Sequence, residues 1–589
     1  MILNQKKTKN NYSYFLPYLF FFAGSVLFFG VFASYIEFHQ EKLSLFVFSR
    51  DYLIDNLVQP GALLVYLGNF LTIFYYYPLA GAIIISAIIC LTIYVISKII
   101  GHLSGKGSNL VPILFGGAVF FLQTKYQYLV YNSLGLLLQL TLFYLTIRYS
   151  KGWIPVIIFP FWYYFTGGFA WIFGLMYTFY LLKNRPGKEW IRIPALWVFI
   201  LLNIYLLKEY FLFQTSSTLF LFPWSNENTG SQFNIFIPFV CLVILLPLIA
   251  GINQKFFSKI NIKYWLKGFT PAIIALILIS VIAIFRYDRN YRDYFNAEKL
   301  FYGERFGELI DYNRKHPTTN RLTIFLNNIA LCETGKLNDQ LFYYPQSSDG
   351  QSLFLKWEMY GEVLRRGGYF YYTTGMINEA HRWAYENMII KGLNPEDLKM
   401  LIKTELINGN YRTASKYIFV LKNAPFYRSE AKAYESLLFN DNAVESHPEL
   451  GAKRKEKIEH DFFSITEDPY INIERVLSFD SLNRKAFEYK LAYLMLIKDY
   501  KGIVSGLTKL ESFGFNKIPV HLEEAAMVYR ISNLGPMPDL GNLRINPQTE
   551  ARFRQFLQTF QTYGNNLKSA QPFLKQKFGN TFWYYAFYH

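Results

Sequence analysis

The sequence predicts an all-α protein with a polytopic helical membrane domain over residues 1–286 and a second helical domain over residues 287–589. Three observations predict this fold class. Long apolar runs are confined to the first 286 residues. These residues hold 20 Lys and Arg and only 7 Asp and Glu, whereas the rest of the chain holds 39 and 35. Beyond this boundary, apolar residues recur at the i, i+3, i+4 spacing of a packed helix face.

Nine apolar segments predict membrane-spanning helices. The bilayer core is about 30 Å thick and takes about 20 apolar residues of helix, and backbone groups in lipid must be paired within their own segment. The first segment is interpreted as an uncleaved anchor, although Val31-Phe32-Ala33 permits cleavage of a signal peptide. One long tilted helix is the alternative to the two segments divided by Gly167-Gly168. The predicted spans are 14–36, 79–99, 109–123, 128–148, 153–167, 168–183, 193–213, 233–252 and 268–286.

Lys and Arg predict the orientation, because cytoplasmic loops of membrane proteins carry an excess of them. With the N-terminus inside, the outside loops hold only Lys42, Arg50, Lys125 and Lys208. The net charge of +17 is therefore mainly an orientation signal. It disfavours nucleic acid as a partner and predicts that the second domain lies outside the cytoplasm. The inside residues are Lys6, Lys7, Lys9, Lys98, Lys106, Arg148, Lys151, Lys183, Arg185, Lys188, Arg192, Lys255, Lys259, Lys263 and Lys267.

The first outside loop, residues 37–78, carries most of the acids of the membrane domain and supplies the candidate catalytic residues. Asp51 and Asp55 stand at i, i+4 and would share a helix face, and Glu37 lies where the first helix leaves the membrane. An outward carboxylate can act as general base for an acceptor hydroxyl. The alternative is that these acids only keep the loop solvated. The apolar stretch 61–78 is interfacial, re-entrant or spanning, and the Lys and Arg distribution disfavours a full span.

An acidic outside loop after the first helix, a Pro-containing amphipathic stretch and short spans together resemble the integral-membrane glycosyltransferases of the GT-C type. The resemblance implies a first-loop carboxylate near the membrane and a lipid-phosphate-linked sugar as donor, and it leaves a divalent cation open. No other cofactor is predicted. The middle of the predicted spans holds no Asp, Glu, Lys or Arg, which disfavours an ion pump or a secondary transporter.

In the second domain, Gly335, Gly375 and Gly409 mark a repeat, since they stand 40 and 34 residues apart between helical stretches. Small residues follow two of them after five positions, at Ala380 and Ala414. The spacing resembles tetratricopeptide (TPR) helix pairs, in which Gly ends one helix in a tight turn and Ala lets two helices approach. We therefore expect a TPR-like α-solenoid.

Metal and redox chemistry have little support in the sequence. The three cysteines are far apart and form no CxxC motif. His521 and Glu524 are three residues apart on a predicted helix, a spacing that can bind metal, but a lone pair is more typical of a solvated helix face. Aromatic residues such as Tyr369 and Tyr372 are expected in the core, with a ligand groove as the alternative.

Several stretches resemble an uncharacterised family of polytopic envelope proteins from Gram-negative bacteria, classed as a domain of unknown function. They are PGALLVYLGNFLTIFYYYPLAG (60–81), NNIALCETGKLNDQLFYYPQ (327–346), INEAHRWAYENM (377–388), NRKAFEYKLAYLML (483–496) and IPVHLEEA (518–525). The resemblance implies a bacterial inner-membrane protein and, with the charge distribution, a periplasmic second domain. It implies no activity.

Two functional hypotheses follow. In the first, the protein is an envelope assembly or scaffold protein whose periplasmic domain binds a protein or glycan partner while the spans hold it in the bilayer. In the alternative, it is a GT-C-type glycosyltransferase with Glu37, Asp51 or Asp55 as base. The two differ in whether a first-loop carboxylate is essential.

Overall fold

The computed structural model describes residues 12–104, 110–150, 152–184, 187–224, 233–250, 266–358, 362–458, 462, 464–465 and 468–589. These residues form helices and no strand, which confirms the all-helical class. The chain divides into two compact units. The N-terminal unit ends at Asp288 and also includes residues 423–426, and the C-terminal unit holds residues 289–422 and 427–589.

The N-terminal unit is built from long apolar helices joined by short helical turns. In chain order the helices and turns are Tyr12–Leu27, Phe28–Phe32, Ser34–Leu43, Arg50–Asp55, Ala62–Thr72, Ile73–Tyr76, Pro78–Ser104, Leu110–Gln123, Val130–Tyr149, Ile154–Thr166, Gly167–Phe169, Ala170–Asn184, Lys188–Ile191, Arg192–Leu206, Leu207–Phe211, Ser216–Leu221, Phe233–Ile244, Leu246–Ile249 and Leu266–Arg286.

Five helices of the described residues are long and apolar enough to cross a membrane, or six if one bent pair counts as a span. The prediction of nine was therefore too high. The physical reason is helix length: Leu110–Gln123 has 14 residues, about 21 Å at 1.5 Å per residue, which is short of the bilayer core. Phe233–Ile244 has only 12. The five candidates are Phe15–Phe32, Pro78–Ser104, Val130–Tyr149, Ile154–Asn184 and Lys188–Phe211.

One of these candidates, Ile154–Asn184, is not a straight helix, because the chain reverses at Gly167. The ring of Phe159 lies 5.7 Å from that of Phe173, centroid to centroid, although 14 residues of straight helix would separate them by about 21 Å. Gly167 has φ +57° and ψ −135°, a conformation that is essentially restricted to glycine. This candidate therefore consists of two short packed helices, divided where the sequence places Gly167-Gly168, and it reaches the length of a span only when both halves are counted together.

The stretch 61–78 of the first loop forms the helix Ala62–Thr72 and the turn Ile73–Tyr76. This helix packs closely on Val130–Tyr149, since a Cβ at Gly68 would lie 2.6 Å from the Cβ of Tyr131. Together with the turn Ile73–Tyr76, this helix is still too short to be counted as a membrane span.

The C-terminal unit is a succession of short amphipathic helices, most of which pack against the next in the chain. The expected glycine turns are present: Gly335, Gly375 and Gly409 all have positive φ and follow the end of a helix. The helices and turns are Arg289–Tyr302, Phe306–Lys315, Arg321–Glu333, Leu337–Gln340, Leu341–Tyr343, Leu364–Thr373, Ile377–Lys391, Pro395–Asn408, Tyr411–Lys422, Arg428–Glu435, Asp441–Ser446, Pro448–Glu456, Pro469–Phe479, Arg484–Leu496, Tyr500–Leu507, Val520–Ile531, Pro547–Thr562, Leu567–Phe578 and Phe582–Tyr588.

Many of the basic residues that predict the orientation lie outside the described residues. They are Lys6, Lys7, Lys9, Lys106, Lys151, Arg185, Lys255, Lys259 and Lys263. The orientation therefore stays a prediction.

Candidate functional site

A cavity of about 490 Å³ opens within the C-terminal unit. We call it the Lys403 cleft. Its lining comes from seven segments of the unit, from the helix Arg289–Tyr302 to the helix Pro448–Glu456. The polar and charged lining residues on which the site is built are Tyr302, Tyr369, Tyr372, Tyr434, Glu304, Glu333, Glu396, Glu430, Glu449, Lys399, Lys403 and Lys453.

The helix Pro395–Asn408 forms one wall of the cleft. Asn394 caps its start, because its side chain accepts a hydrogen bond from the backbone N–H of Asp397, and a proline occupies the first helical position. Gly409 ends it in the left-handed conformation. Positions i, i+3 and i+7 of this helix share a face, which brings Glu396, Lys399 and Lys403 to the cavity.

Lys403 is held at the centre of the cleft by two carboxylates from other segments. Its Nζ donates to Glu304 at 2.5 Å and to Glu449 at 2.7 Å, and the hydroxyl of Tyr372 donates to Glu449 at 2.7 Å. Burial disfavours the ammonium, but Glu449, Tyr434, Tyr372 and Glu304 together outweigh burial and raise the pKa of Lys403 well above its ordinary value. Burial likewise opposes ionisation of Glu449, yet Lys403 holds the pKa of that carboxyl below its usual value. The pair is therefore ionised.

Lys399 forms a second, looser pairing one helical turn away. Its Nζ lies 2.8 Å from Glu396 and 3.7 Å from Glu430. The hydroxyl of Tyr434 contacts Glu430 at the long distance of 3.5 Å. Because both of these contacts are long, the carboxylate of Glu430 is the most loosely held of the cleft glutamates whose contacts are described.

Lys453 fixes the floor of the cleft. Its Nζ donates to Glu333 at 2.9 Å, to the carbonyl oxygen of Thr373 at 3.1 Å and to Glu456 at 3.3 Å. Lys485 approaches the same two glutamates at 2.7 and 3.3 Å. Such a network of charge-assisted hydrogen bonds orders the helices that carry it.

The predicted first-loop carboxylates lie in different surroundings. Glu37 is fully buried in the helix Ser34–Leu43, and neither of its carboxyl oxygens has a hydrogen-bond partner among the described residues. Burial raises its pKa well above the usual value, because it disfavours the charged carboxylate. Asp51 and Asp55 lie on the separate helix Arg50–Asp55 and are exposed to solvent. Their catalytic role stays a prediction.

His521 and Glu524 are not a solvated helix face, so that expectation was wrong. Both are buried, with His521 Nδ1 at 3.3 Å from Glu524 Oε2. The same carboxyl accepts the backbone N–H of Phe582, and the Trp583 indole N–H donates to the Glu524 carbonyl oxygen. The pair therefore ties the helix Val520–Ile531 to the C-terminal helix. Within the described parts of the chain, no cluster of three His, Cys, Asp or Glu is arranged to hold a metal.

The wild type is expected to lose stability as the pH rises from 6.5 to 8, and we expect Glu524→Gln to abolish this loss. Burial raises the pKa of Glu524 to about 8, so the folded state binds more protons than the unfolded state up to that pH, and stability falls as pH rises. Burial lowers the pKa of His521 to about 3. Above pH 6.5 this histidine is neutral in both the folded and the unfolded state, so it does not affect the pH dependence of stability there. The expected loss in the wild type is about 1–2 kcal/mol.

Hydrogen exchange of peptides from the helix Val520–Ile531, in the full chain at pH 6.5 and 8 and corrected for intrinsic rates, measures this loss. Glu435→Gln, at an exposed position, is the control and should behave as the wild type. An equal loss in Glu524→Gln and in the wild type contradicts the assignment.

The cleft residues were largely missed at the sequence level. Tyr369 and Tyr372 line the cleft, and Tyr372 is also buried, as expected for a core residue. The signal that could have identified Lys399 and Lys403 is their spacing with Glu396 on one face of a capped helix.

Comparison with known proteins gives a family and no activity. No curated protein and no solved structure matches the chain. Residues 9–589 match the family described as "Family of unknown function (DUF6057)". This confirms the resemblance to an uncharacterised family over nearly the whole chain. The chain belongs to the DUF6057 family.

Proposed function

We propose that this is an inner-membrane assembly or scaffold protein whose C-terminal unit, a periplasmic TPR-like domain, binds a protein or glycan partner in the Lys403 cleft. The apolar helices of the N-terminal unit hold it in the bilayer. The single observation that carries the proposal is the cleft itself. Its volume of about 490 Å³ lies in the range of about 300–1,000 Å³ that is typical of ligand sites.

The arrangement of the cleft supports binding. Lys403, Glu449 and Tyr372 hold one another in place, so the site exists before a partner arrives and little ordering is needed on binding. Tyrosine rings with a polar tip suit a partner that is both apolar and hydrogen-bonding. Glycine turns after successive helices support the TPR-like arrangement.

Photo-crosslinking in living cells tests the proposal. A benzophenone amino acid replaces Glu304, which lines the cleft and is 49% exposed. The matched control position is Glu435, which is 44% exposed and outside the cleft lining. We expect a discrete adduct from position 304 and none from 435, and mass spectrometry distinguishes a protein from a glycan. Absence of an adduct from 304, or equal adducts from both positions, contradicts a partner in the cleft.

The glycosyltransferase hypothesis is a second candidate, favoured by one observation. The exposed Asp51 and Asp55 are interleaved with exposed apolar residues, Leu53 and Ile54, on a short helix. Such a helix suits the membrane interface, where a lipid-phosphate sugar would lie. The test is consumption of a lipid-phosphate sugar by membranes that carry the chain. Replacement of Asp51 and Asp55 by Asn should abolish it at unchanged protein abundance. Undiminished consumption both in this double variant and in Glu37→Gln rules this hypothesis out.

A further inference from the structure

We propose that the Lys403 cleft binds a cationic group, a primary ammonium or a guanidinium, with the carboxylate of Glu430 as its counter-charge. This inference rests on the proposed function, because it names the chemical group of the partner that enters the same cleft.

The charge balance of the cleft favours a cation over an anion. Five glutamates, three lysines and one histidine, His447, line it. Each lysine ammonium already has two carboxylates within 4 Å: Lys399 has Glu396 and Glu430, Lys403 has Glu304 and Glu449, and Lys453 has Glu333 and Glu456. An anionic ligand would have to displace one of these carboxylates. A cation instead meets the excess negative charge of a partly enclosed cavity, where charge is screened less than in bulk water.

Glu430 is the carboxylate best placed to bind such a cation. Its contacts with Lys399 and Tyr434 are long, at 3.7 and 3.5 Å, whereas Lys399 lies 2.8 Å from Glu396. Lys399 is therefore held mainly by Glu396, and the oxygens of Glu430 keep room for a further donor.

Aromatic rings complete a site for a cation. Tyr369 lies between Phe301, with centroids 4.9 Å apart, and Tyr302, with centroids 6.0 Å apart. All three line the cavity, as does Tyr434. The faces of such rings attract ammonium and guanidinium groups, most strongly where water is excluded. Carboxylates and tyrosines together thus provide both kinds of contact that a cation uses.

A cation of this class has two sources, a free small amine or a lysine or arginine side chain of a peptide. Calorimetric titration of the purified full chain distinguishes them with three probes: cadaverine, the peptide acetyl-Gly-Lys-Gly-amide, and methyl N-acetylglucosaminide as a neutral sugar. Glu430→Gln removes the counter-charge. Glu435→Gln on the same helix is the matched control, since Glu435 is exposed, pairs with Lys422 and does not line the cavity.

We expect at least one cationic probe to bind, Glu430→Gln to weaken it about ten-fold, and Glu435→Gln to leave it unchanged. Preference for the peptide identifies a protein side chain, and preference for cadaverine a free amine. Binding of the neutral sugar alone, or cation binding that Glu430→Gln leaves intact, overturns the inference. In those cases an adduct from position 304 still upholds the proposed function. If neither cation binding nor that adduct is observed, both this inference and the proposed function are overturned.

Discussion

Replacing Arg366 with Ala is expected to destabilise the C-terminal unit by about 3–5 kcal/mol. The Arg366 side chain is fully buried and forms ion pairs with Glu298 and Glu362. Its guanidinium also lies over the ring of Tyr294, 5.4 Å from the centroid. Glu298 is 1% exposed, so removal of the arginine leaves a carboxylate buried with its principal counter-charge gone.

Two further variants separate this mechanism from a simple loss of packing. Replacing Arg366 by Met and Glu298 by Leu together removes both buried charges, and we expect this variant to recover most of the loss. Arg305→Ala removes an exposed pair with Glu308 and should change little. Hydrogen exchange of the helix Leu364–Thr373 in the full chain measures all three. If the double variant is as unstable as Arg366→Ala, the unpaired buried charge of Glu298 is not the cause of the destabilisation.

Replacing Gly167 with Ala is expected to prevent folding of most of the N-terminal unit. The positive φ of this residue costs a side chain about 1–3 kcal/mol. A Cβ there would also overlap the carbonyl oxygen of Phe222 and lie 2.9 Å from the Cα of Gly61. Three chain segments meet at this point: Gly61 N–H donates to Tyr164 O at 2.9 Å and Gly168 N–H donates to Phe222 O at 2.7 Å. None of them can yield without losing these hydrogen bonds.

The amount of monodisperse protein extracted from membranes measures the effect. Gly101→Ala is the control, because a Cβ at Gly101 meets nothing within 4 Å and its φ is not positive, so its yield should match the wild type. A normal yield and melting temperature for Gly167→Ala would show that the close approach of the three segments is not required.

The local features of the fold were predictable from the sequence, because they depend on neighbouring residues. The glycine turns at Gly335, Gly375 and Gly409 and the division at Gly167-Gly168 follow from one residue's conformational freedom. The number of spans was not predictable in the same way. Apolar composition shows that residues 109–123 belong in an apolar environment, but it does not show whether so short a segment, 14 residues of helix in the structure, crosses the bilayer.

The candidate site could not be predicted, because its residues are distant in the chain. Glu304, Lys403 and Glu449 meet although about 50 to 100 residues separate neighbours in this set, and no local pattern encodes such a contact. His521 and Glu524 show the related difficulty. Their i, i+3 spacing is the same on a solvated face and in the core, and only the packing of Phe582 and Trp583 decides between them.

The most direct test of partner binding in the Lys403 cleft is to fill the cleft and repeat the crosslinking. Ala433 lines the cavity and is exposed, so Ala433→Trp places an indole in the opening without disturbing the core. We expect the adduct from position 304 to disappear while protein abundance and melting temperature remain those of the parent. An undiminished adduct from a folded Ala433→Trp variant would contradict binding in the cleft.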